Sequence, residues 1–437
     1  MRRRLALAAV ALCAGTALVV TVPAPSPAAS VDIPAVQEAH FAVIDRIASW
    51  DALTPVSRMG RVEGDPVAGS IEIGWVGQVP SEVQQMAADA AAEGITITFV
   101  EQAASDEELV ALAYDLAASM PVEGAFSVGI GTDSLSVEVP TQEAAEAAGT
   151  EPIPLEEGEV AEVLDATEQS AADLGVSVTV EETDTVPTTT ALGPLELGTP
   201  LDSAAATAIR TGRSNDTGVL SGGMRVRTQF LSGSYVSCTS GFTGTYGHQS
   251  LIVTAAHCSD YADGRAVQNA AGIRIGRSGL VGTLNTGAAA YDLGIIAAGY
   301  DTRTLPRIYT NETATVQITG TQVSFPPAGY RLCSSGQITG WKCDLTSGEA
   351  YVTCYATGRG TKCMHVQIVR SSGTSAFCLG DSGGPVVTAP TSAGAVAVGV
   401  VSGVKSTVSV RCSQEGLIAP ISQLMSTVHG LQLHTTP

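Results

Sequence analysis

Between residues 14 and 237 the chain has no cysteine, and between 30 and 200 it has only three basic residues. The first absence excludes disulfides and cysteine-based metal centres from the N-terminal half. The second excludes a nucleic-acid-binding face there, because such a face needs clustered Lys and Arg. Charged residues make up only 15% of the chain while apolar ones make up 44%, which argues against general disorder and allows packed cores. Apart from the first thirty residues, no segment is apolar for long enough to cross a bilayer. Repeated Cys-x-x-Cys pairs are missing too, so a zinc site is not expected. No phosphate-cradling loop and no tandem repeat occurs, and no metal or other cofactor is expected.

What is present divides the chain. At 437 residues there is room for two or three domains. Residues 1–29 have the three parts of a secretory signal: Arg2 to Arg4, an apolar run from Leu5 to Val22, and a small-residue cleavage site at Ser26-Pro27-Ala28 or Ala29. Cys13 would leave with it. Residues 30–200 hold 32 acidic and 3 basic residues, a net of −29, whereas residues 201–437 hold 11 and 16, a net of +5. Such asymmetry suggests two bodies of different purpose, complementary in charge; the plainer alternative is an acidic region that serves solubility alone. The eight cysteines after the signal all lie between 238 and 412, an even number that fits four disulfides in an oxidising, extracellular location.

The acidic region alternates strand and helix patterns. "GSIEIGWVG" and "ITITFVE" predict strands around a helix in "PSEVQQMAADAAAEG", and "SDEELVALAYDLAASM" predicts a helix opened by Ser105. "AFSVGIGTDSLSVEV" predicts a hairpin about Gly131-Thr132-Asp133, followed by a helix near 158–174 and the strand "VSVTVEE". This is a small α/β body. "TDTVPTTTALGPLELGTPLDS" is rich in Thr, Pro and Gly without periodicity, and is read as linker. From about residue 220 short β-like runs such as "SLIVTAAHC", "DLGIIAAG" and "AVAVGVVSGV" recur, and the one helical pattern is "IAPISQLMSTVHGL" at the end. An all-β sandwich or barrel pair closed by one helix follows.

Three stretches carry chemistry. Ser382, in "GDSGGP", sits among glycines that let the backbone turn sharply and bring N–H groups against a carbonyl. A serine hydroxyl is a weak nucleophile until a base takes its proton. Of six histidines, only His257 follows an apolar β-like approach, "LIVTAAH", and precedes a cysteine that could fix it. Asp292, in "AAAYDLGIIAAG", is a charge inside an apolar stretch and so needs a hydrogen-bonded partner such as an imidazole N–H; Asp301 is the alternative acid.

"TAAHC", "DLGII" and "GDSGGP", in the order His–Asp–Ser, resemble the chymotrypsin-like serine proteases, and the match covers roughly residues 220–437. "VLSGGMRV", "CTSGFTGTYGHQSLIVTAAHC" and "CSSGQITGWKC" are most similar to the bacterial secreted branch, the streptogrisins and α-lytic protease. The resemblance implies two six-stranded Greek-key β-barrels and a C-terminal helix, with the site in the cleft between the barrels. It implies Ser382 as nucleophile, His257 as general base, Asp292 as its orienting acid, and the N–H groups of Gly380 and Ser382 as oxyanion hole. Ser402 would support Asp292 and line the substrate strand. Disulfides would join Cys238 to Cys258, Cys333 to Cys343 and Cys378 to Cys412, which leaves Cys354 and Cys363 for each other. Residues 30–200 would be a propeptide that assists folding and inhibits the enzyme. Residues 201–219 would be a linker with the processing site, at Arg210, Arg213 or the bond before Leu220, ahead of a protease domain at 220–437. The implied product is a secreted, monomeric endopeptidase of proteins or peptides, whose partners are its substrates and its own propeptide.

The implied S1 pocket has its floor near Ala376 and Phe377, its rim at Leu379 and a wall at Gly403-Val404. With no acid at the floor, and with Val404 where open-pocket relatives carry glycine, small or medium aliphatic P1 residues are expected. Two features depart from the relatives. Only Leu-Gly-Asp separates Cys378 from Ser382, shorter than in the bacterial enzymes and like the animal ones. The bacterial enzymes pair the acid before the nucleophile, here Asp381, with an arginine directly after the first cysteine of the short loop; that position is Ser334. An Ile-Val-Gly-Gly start, the animal solution, is missing as well. Arg331, or Ser334 with backbone N–H groups, are the candidate replacements. A malformed loop would instead give a protease-fold binding or scaffolding protein. Asn215-Asp216-Thr217 and Asn311-Glu312-Thr313 match glycosylation sequons, treated as coincidence.

Overall fold

The computed structural model describes residues 32–436 apart from 122–123, 156–157, 190–211, 215, 217–218, 231–234, 260–263, 280–290, 300–301, 358–359, 374 and 407–411. The expected signal, most of the expected linker and Asp301 lie outside the described residues. No helix among the described residues is long and apolar enough to cross a membrane.

The acidic region forms two small α/β units. In the first, strands Met59–Asp65, Ser70–Val76 and Thr96–Gln102 form a sheet in that order, the last two parallel and linked by helix Ser81–Ala92. Helix Ile33–Asp51 packs Val43, Ile44 and Ile47 on that sheet against Ile71, Ile73 and Trp75. The second unit has the order Ser177–Thr183, Ser134–Pro140, Phe126–Gly131, with helix Glu159–Asp173 linking the parallel pair. Its helix Asp106–Ser119 starts where expected: Ser105 accepts the amide of Glu108 and the Glu108 carboxylate accepts the amide of Ser105. The predicted hairpin turns at Asp133, the one described non-glycine residue with positive φ.

The second unit does not end at its own edge. Strand Phe126–Gly131 pairs antiparallel with strand Gly340–Thr357 of the C-terminal half, Cys354 opposite Phe126 and Val352 opposite Val128. Val352 and Cys354 thereby join the apolar core of the acidic unit, beside Leu109, Leu116, Val128 and Val137. An exposed strand edge that receives a partner strand gains hydrogen bonds and covers apolar surface together. The stretch read as linker contributes a further strand, Val186–Thr189, which pairs antiparallel with Gly403–Ser406 of strand Ala395–Ser406. The expectation of irregular chain fails there because an added edge strand needs a partner, not an apolar alternation of its own.

The C-terminal half is all β. In the first barrel the chain passes from Tyr235–Thr239 at one end of the sheet to Thr243–Tyr246 near the other, which curls the sheet on itself; Leu431–Leu433 from the chain's end pairs with the latter. Strand Gln249–Thr254 is apolar on consecutive positions because both faces are covered. Ile252 points into the barrel core with Val226, Val267 and Ile296, while Leu251 and Val253 face a cluster shared with Ile421 and Leu424 of the terminal helix Ile421–Thr427. The second barrel encloses Leu332, Leu345, Val369, Phe377, Val386, Val401 and Ile418. All four cysteine pairs are disulfides: Cys238–Cys258, Cys333–Cys343, Cys354–Cys363 and Cys378–Cys412.

Candidate active site

His257 lies just past strand Gln249–Thr254, in the single 3-10 turn Ala256–Ser259, with Cys258 tied to the neighbouring strand through Cys238. Thr254 pairs with Gly294, so Asp292, two residues before it, arrives beside His257. The two strands approach closely here: a Cβ on Gly294 would stand 3.1 Å from Ala256 Cα, so a side chain would fit only if that backbone gave way slightly. Ser382 comes from the loop joining Phe377–Cys378 to Pro385–Thr388, and this loop is stitched to both barrels. The Thr239 amide donates to Ser382 O, and the Gly383 amide donates to Val401 O. Gly383 has φ +77°, and a Cβ on it would lie 2.1 Å from Thr254 Oγ1.

The three side chains form one hydrogen-bonded line. Ser382 Oγ is 2.8 Å from His257 Nε2, and His257 Nδ1 is 2.5 Å from Asp292 Oδ2. Asp292 is fully buried, yet three donors serve its carboxylate: His257 N at 2.9 Å, the imidazole, and Ser402 Oγ at 2.7 Å. A buried carboxylate so bonded is held in place and fixes the ring with Nε2 facing the serine. Ser382, His257, Asp292 and Ser402 are thus brought together as the sequence predicts. Cys238, His257 and Cys258 also cluster closely, but both sulfurs are in the disulfide, so no thiolate is offered to a metal.

Close to Ser382, Gly380 has φ +107° and its carbonyl accepts Thr239 Oγ1 at 2.9 Å and Gln337 Nε2 at 2.7 Å. Those two donors fix the peptide that separates Gly380 from Asp381. Neither Thr239 nor Gln337 stands out in the sequence. Both are polar side chains that serve a distant backbone carbonyl, and only the short disulfide loop around Gln337 hinted at a role. Ala376 and Phe377 precede the loop and Leu379 is its first residue. Phe377 is fully buried, and its ring lies where a Cβ on Gly416 would fall, within the second barrel's apolar cluster. Val404 belongs to the same cluster. Gly403 faces Thr188: a Cβ on it would stand 2.6 Å from Thr188 O and 2.7 Å from the Tyr355 hydroxyl.

Asp381 is almost fully buried. Its Oδ1 accepts the amides of Ile338 at 2.8 Å and Thr339 at 3.3 Å, and its Oδ2 accepts the amide of Cys378 at 2.9 Å. Burial pushes its carboxyl above the usual range, and these amides pull it back. Of the expected replacements, backbone N–H groups are present. Arg331 is not the partner: it lies exposed on strand Arg331–Gly336, where it pairs with Thr346. Ser334 is buried in the same strand, opposite Val386.

Residues 221–428 match the family model described as Trypsin. The chain therefore carries a trypsin-family domain, a chymotrypsin-like serine endopeptidase. Solved structures similar to the chain include Thermobifida fusca protease A, at 26% identity over 50% of this chain and 100% of that one, with a TM-score of 0.38. A second is the Cellulomonas bogoriensis chymotrypsin, at 24% identity over 50% and 100%, with a TM-score of 0.36. No curated protein matches the chain.

Proposed function

We propose that the chain is a secreted zymogen of the streptogrisin and α-lytic protease branch, in which Ser382, His257 and Asp292 carry peptide hydrolysis and the acidic region is an inhibitory propeptide. The observation that carries the catalytic assignment is the continuous line from Ser382 Oγ through the imidazole to the buried Asp292. Ser382 attacks the peptide carbonyl as its proton passes to His257 Nε2. The charge arising on the ring is stabilised by Asp292, which Ser402 and the His257 amide hold in position. The oxyanion falls to the N–H groups of Gly380 and Ser382, on a loop held by Thr239 and Gln337. His257 then protonates the leaving amine, and water drawn through the same base releases the acyl group.

The inhibitory role of the acidic region is supported by strand Val186–Thr189. It lies antiparallel on Gly403–Ser406, with Thr189 opposite Gly403 and Thr188 opposite Val404, where a substrate's extended backbone would lie. Ser382 is 0% exposed with that strand in place. A small or medium aliphatic P1 preference is supported by Phe377 and Val404, two bulky side chains packed in one cluster at the positions expected to shape the pocket.

A fluorophosphonate probe tests the catalytic assignment. Labelling of processed wild-type protein but not of Ser382→Ala is expected; unlabelled wild type would favour a protease-fold binding protein. A peptide library dominated by Phe and Tyr at P1 would overturn the pocket assignment.

A further inference from the structure

The stretch between the acidic region and the first barrel strand is where a discarded linker is expected, yet its described residues are anchored in the protease body. The Arg213 amide donates to Glu312 O, and Ser214 Oγ donates to the Glu312 carboxylate. Asp216 is 1% exposed; its backbone oxygen accepts Asn269 Nδ2 at 2.8 Å and its carboxylate accepts the Tyr309 hydroxyl at 2.7 Å and the Gly212 amide at 2.8 Å. Arg213 is 7% exposed. Its Nε donates to Gly223 O at 2.8 Å, and its Nη2 donates to Ser335 Oγ at 3.1 Å and to Gly336 O. Burying two charged side chains three residues apart is costly unless each is bonded, and here each is.

The guanidinium sits under the turn that grips Asp381. A Cβ on Gly336, whose carbonyl Arg213 holds, would stand 2.1 Å from Asp381 Oδ1. The next two residues but one, Ile338 and Thr339, supply the amides that bind that oxygen. The attraction between Arg213 and Asp381 is felt by the arginine more strongly than that of Glu312. No ion pair joins the two directly; the cation acts across one peptide.

We propose that Arg213 is a positioning residue for the nucleophile loop: it enters from the segment ahead of the first barrel strand, clamps the 336–339 turn, and gives Asp381 its counter-charge. This rests on Ser382 being the nucleophile. It follows that the working enzyme keeps residue 213, so maturation cuts no later than the Gly212–Arg213 bond, not after Arg213 and not before Leu220.

Two measurements on the full chain, expressed and allowed to process itself, decide it. The first is the intact mass and N-terminal sequence of the fluorophosphonate-labelled species. The expected first residue lies at or before Arg213; a fully active enzyme starting at Ser214 or later overturns the proposal. The second compares Arg213→Met with Arg213→Lys. With Met, kcat is expected to fall at least ~10-fold at neutral pH and the acid limb of the rate profile to move up by about one pH unit, because an Asp381 without its cation binds a proton more readily. Lys is expected to restore most of both. A purely structural role would lower the yield of active enzyme without moving the limb, and a wild-type limb in Arg213→Met overturns the proposal. If Arg213→Met does not fold, the mass measurement alone decides. Unlabelled wild type would instead sink the serine assignment and is read separately.

Discussion

The two halves of this chain are held together by opposite means. The acidic half, residues 33–189, has no disulfide, and one of its two cores is completed by Val352 and Cys354 from the other half. The barrels carry all four disulfides and enclose their own cores. Eight cysteines paired within 238–412 cross-link the barrels to themselves. The acidic half instead completes a core with a strand of the other half. The charge balance points the same way, since a net −29 region lies against one of net +5.

The contrast breaks most sharply at the site. Asp292→Asn leaves the shape of the triad but favours the wrong histidine tautomer, so kcat is expected to fall about 10,000-fold, as in related triads. Docking of the acidic half should be unchanged, and steady-state kinetics beside an inhibition titration would read both. Next in size is deletion of 186–189, four residues paired with Gly403–Ser406. At about 1 kcal/mol net for each backbone hydrogen bond, partly offset by ordering, inhibition is expected to weaken roughly 100-fold.

A smaller effect belongs to Glu138, which pairs with Lys405 Nζ across the junction; that ammonium also lies 4.2 Å from the Tyr351 ring centre. Glu138→Gln leaves Lys405 buried with the ring alone, for a loss of roughly 10-fold in affinity. Inhibition by a Glu138→Gln chain measured at two salt concentrations checks it.

The smallest concerns pH. His365 is buried at the junction beside Phe325, its amide donating to the Tyr114 hydroxyl, and burial pushes its ring down to about 3. Asp51, Arg61, Asp106 and Glu107 of the acidic half and Glu349 of the barrels line the same cavity. An undocked histidine takes a proton near 6.5 that the docked one refuses. Its contribution to docking is therefore present above 6.5 and lost as pH falls toward 3. Asp45, pushed up to about 6 by burial, has the opposite sign: its contribution is present below the ordinary carboxylate range and lost as pH rises through 6. His365→Gln should flatten the acid-side loss by a few-fold, and Asp45→Asn should flatten the other limb. Identical profiles for the variants and wild type would remove both groups from the docking energetics.

The triad was legible because each member sits in a local motif whose strand context is also local: an apolar approach to His257, an acid within an apolar run, glycines about Ser382. Helix Asp106–Ser119 was legible through Ser105 and Glu108 for the same reason. What the sequence hid depends on partners distant in the chain. Val186–Thr189 is a strand only because Gly403–Ser406 receives it. Gln337 and Thr239 matter through one carbonyl, that of Gly380. Arg213 is a linker arginine until the fold carries it beneath Asp381, whereas Arg331, close to Cys333 in sequence, is left exposed by the fold.

The central claim is that one half is the enzyme and the other covers its substrate strand. Peptide hydrolysis should be followed as intact chain converts to processed enzyme, with the active sites counted by fluorophosphonate. The expected result is slow turnover by chain that retains 33–189, a large rise on its loss, and a fall again when the acidic half is added back. Equal turnover per site by intact and processed protein would contradict it.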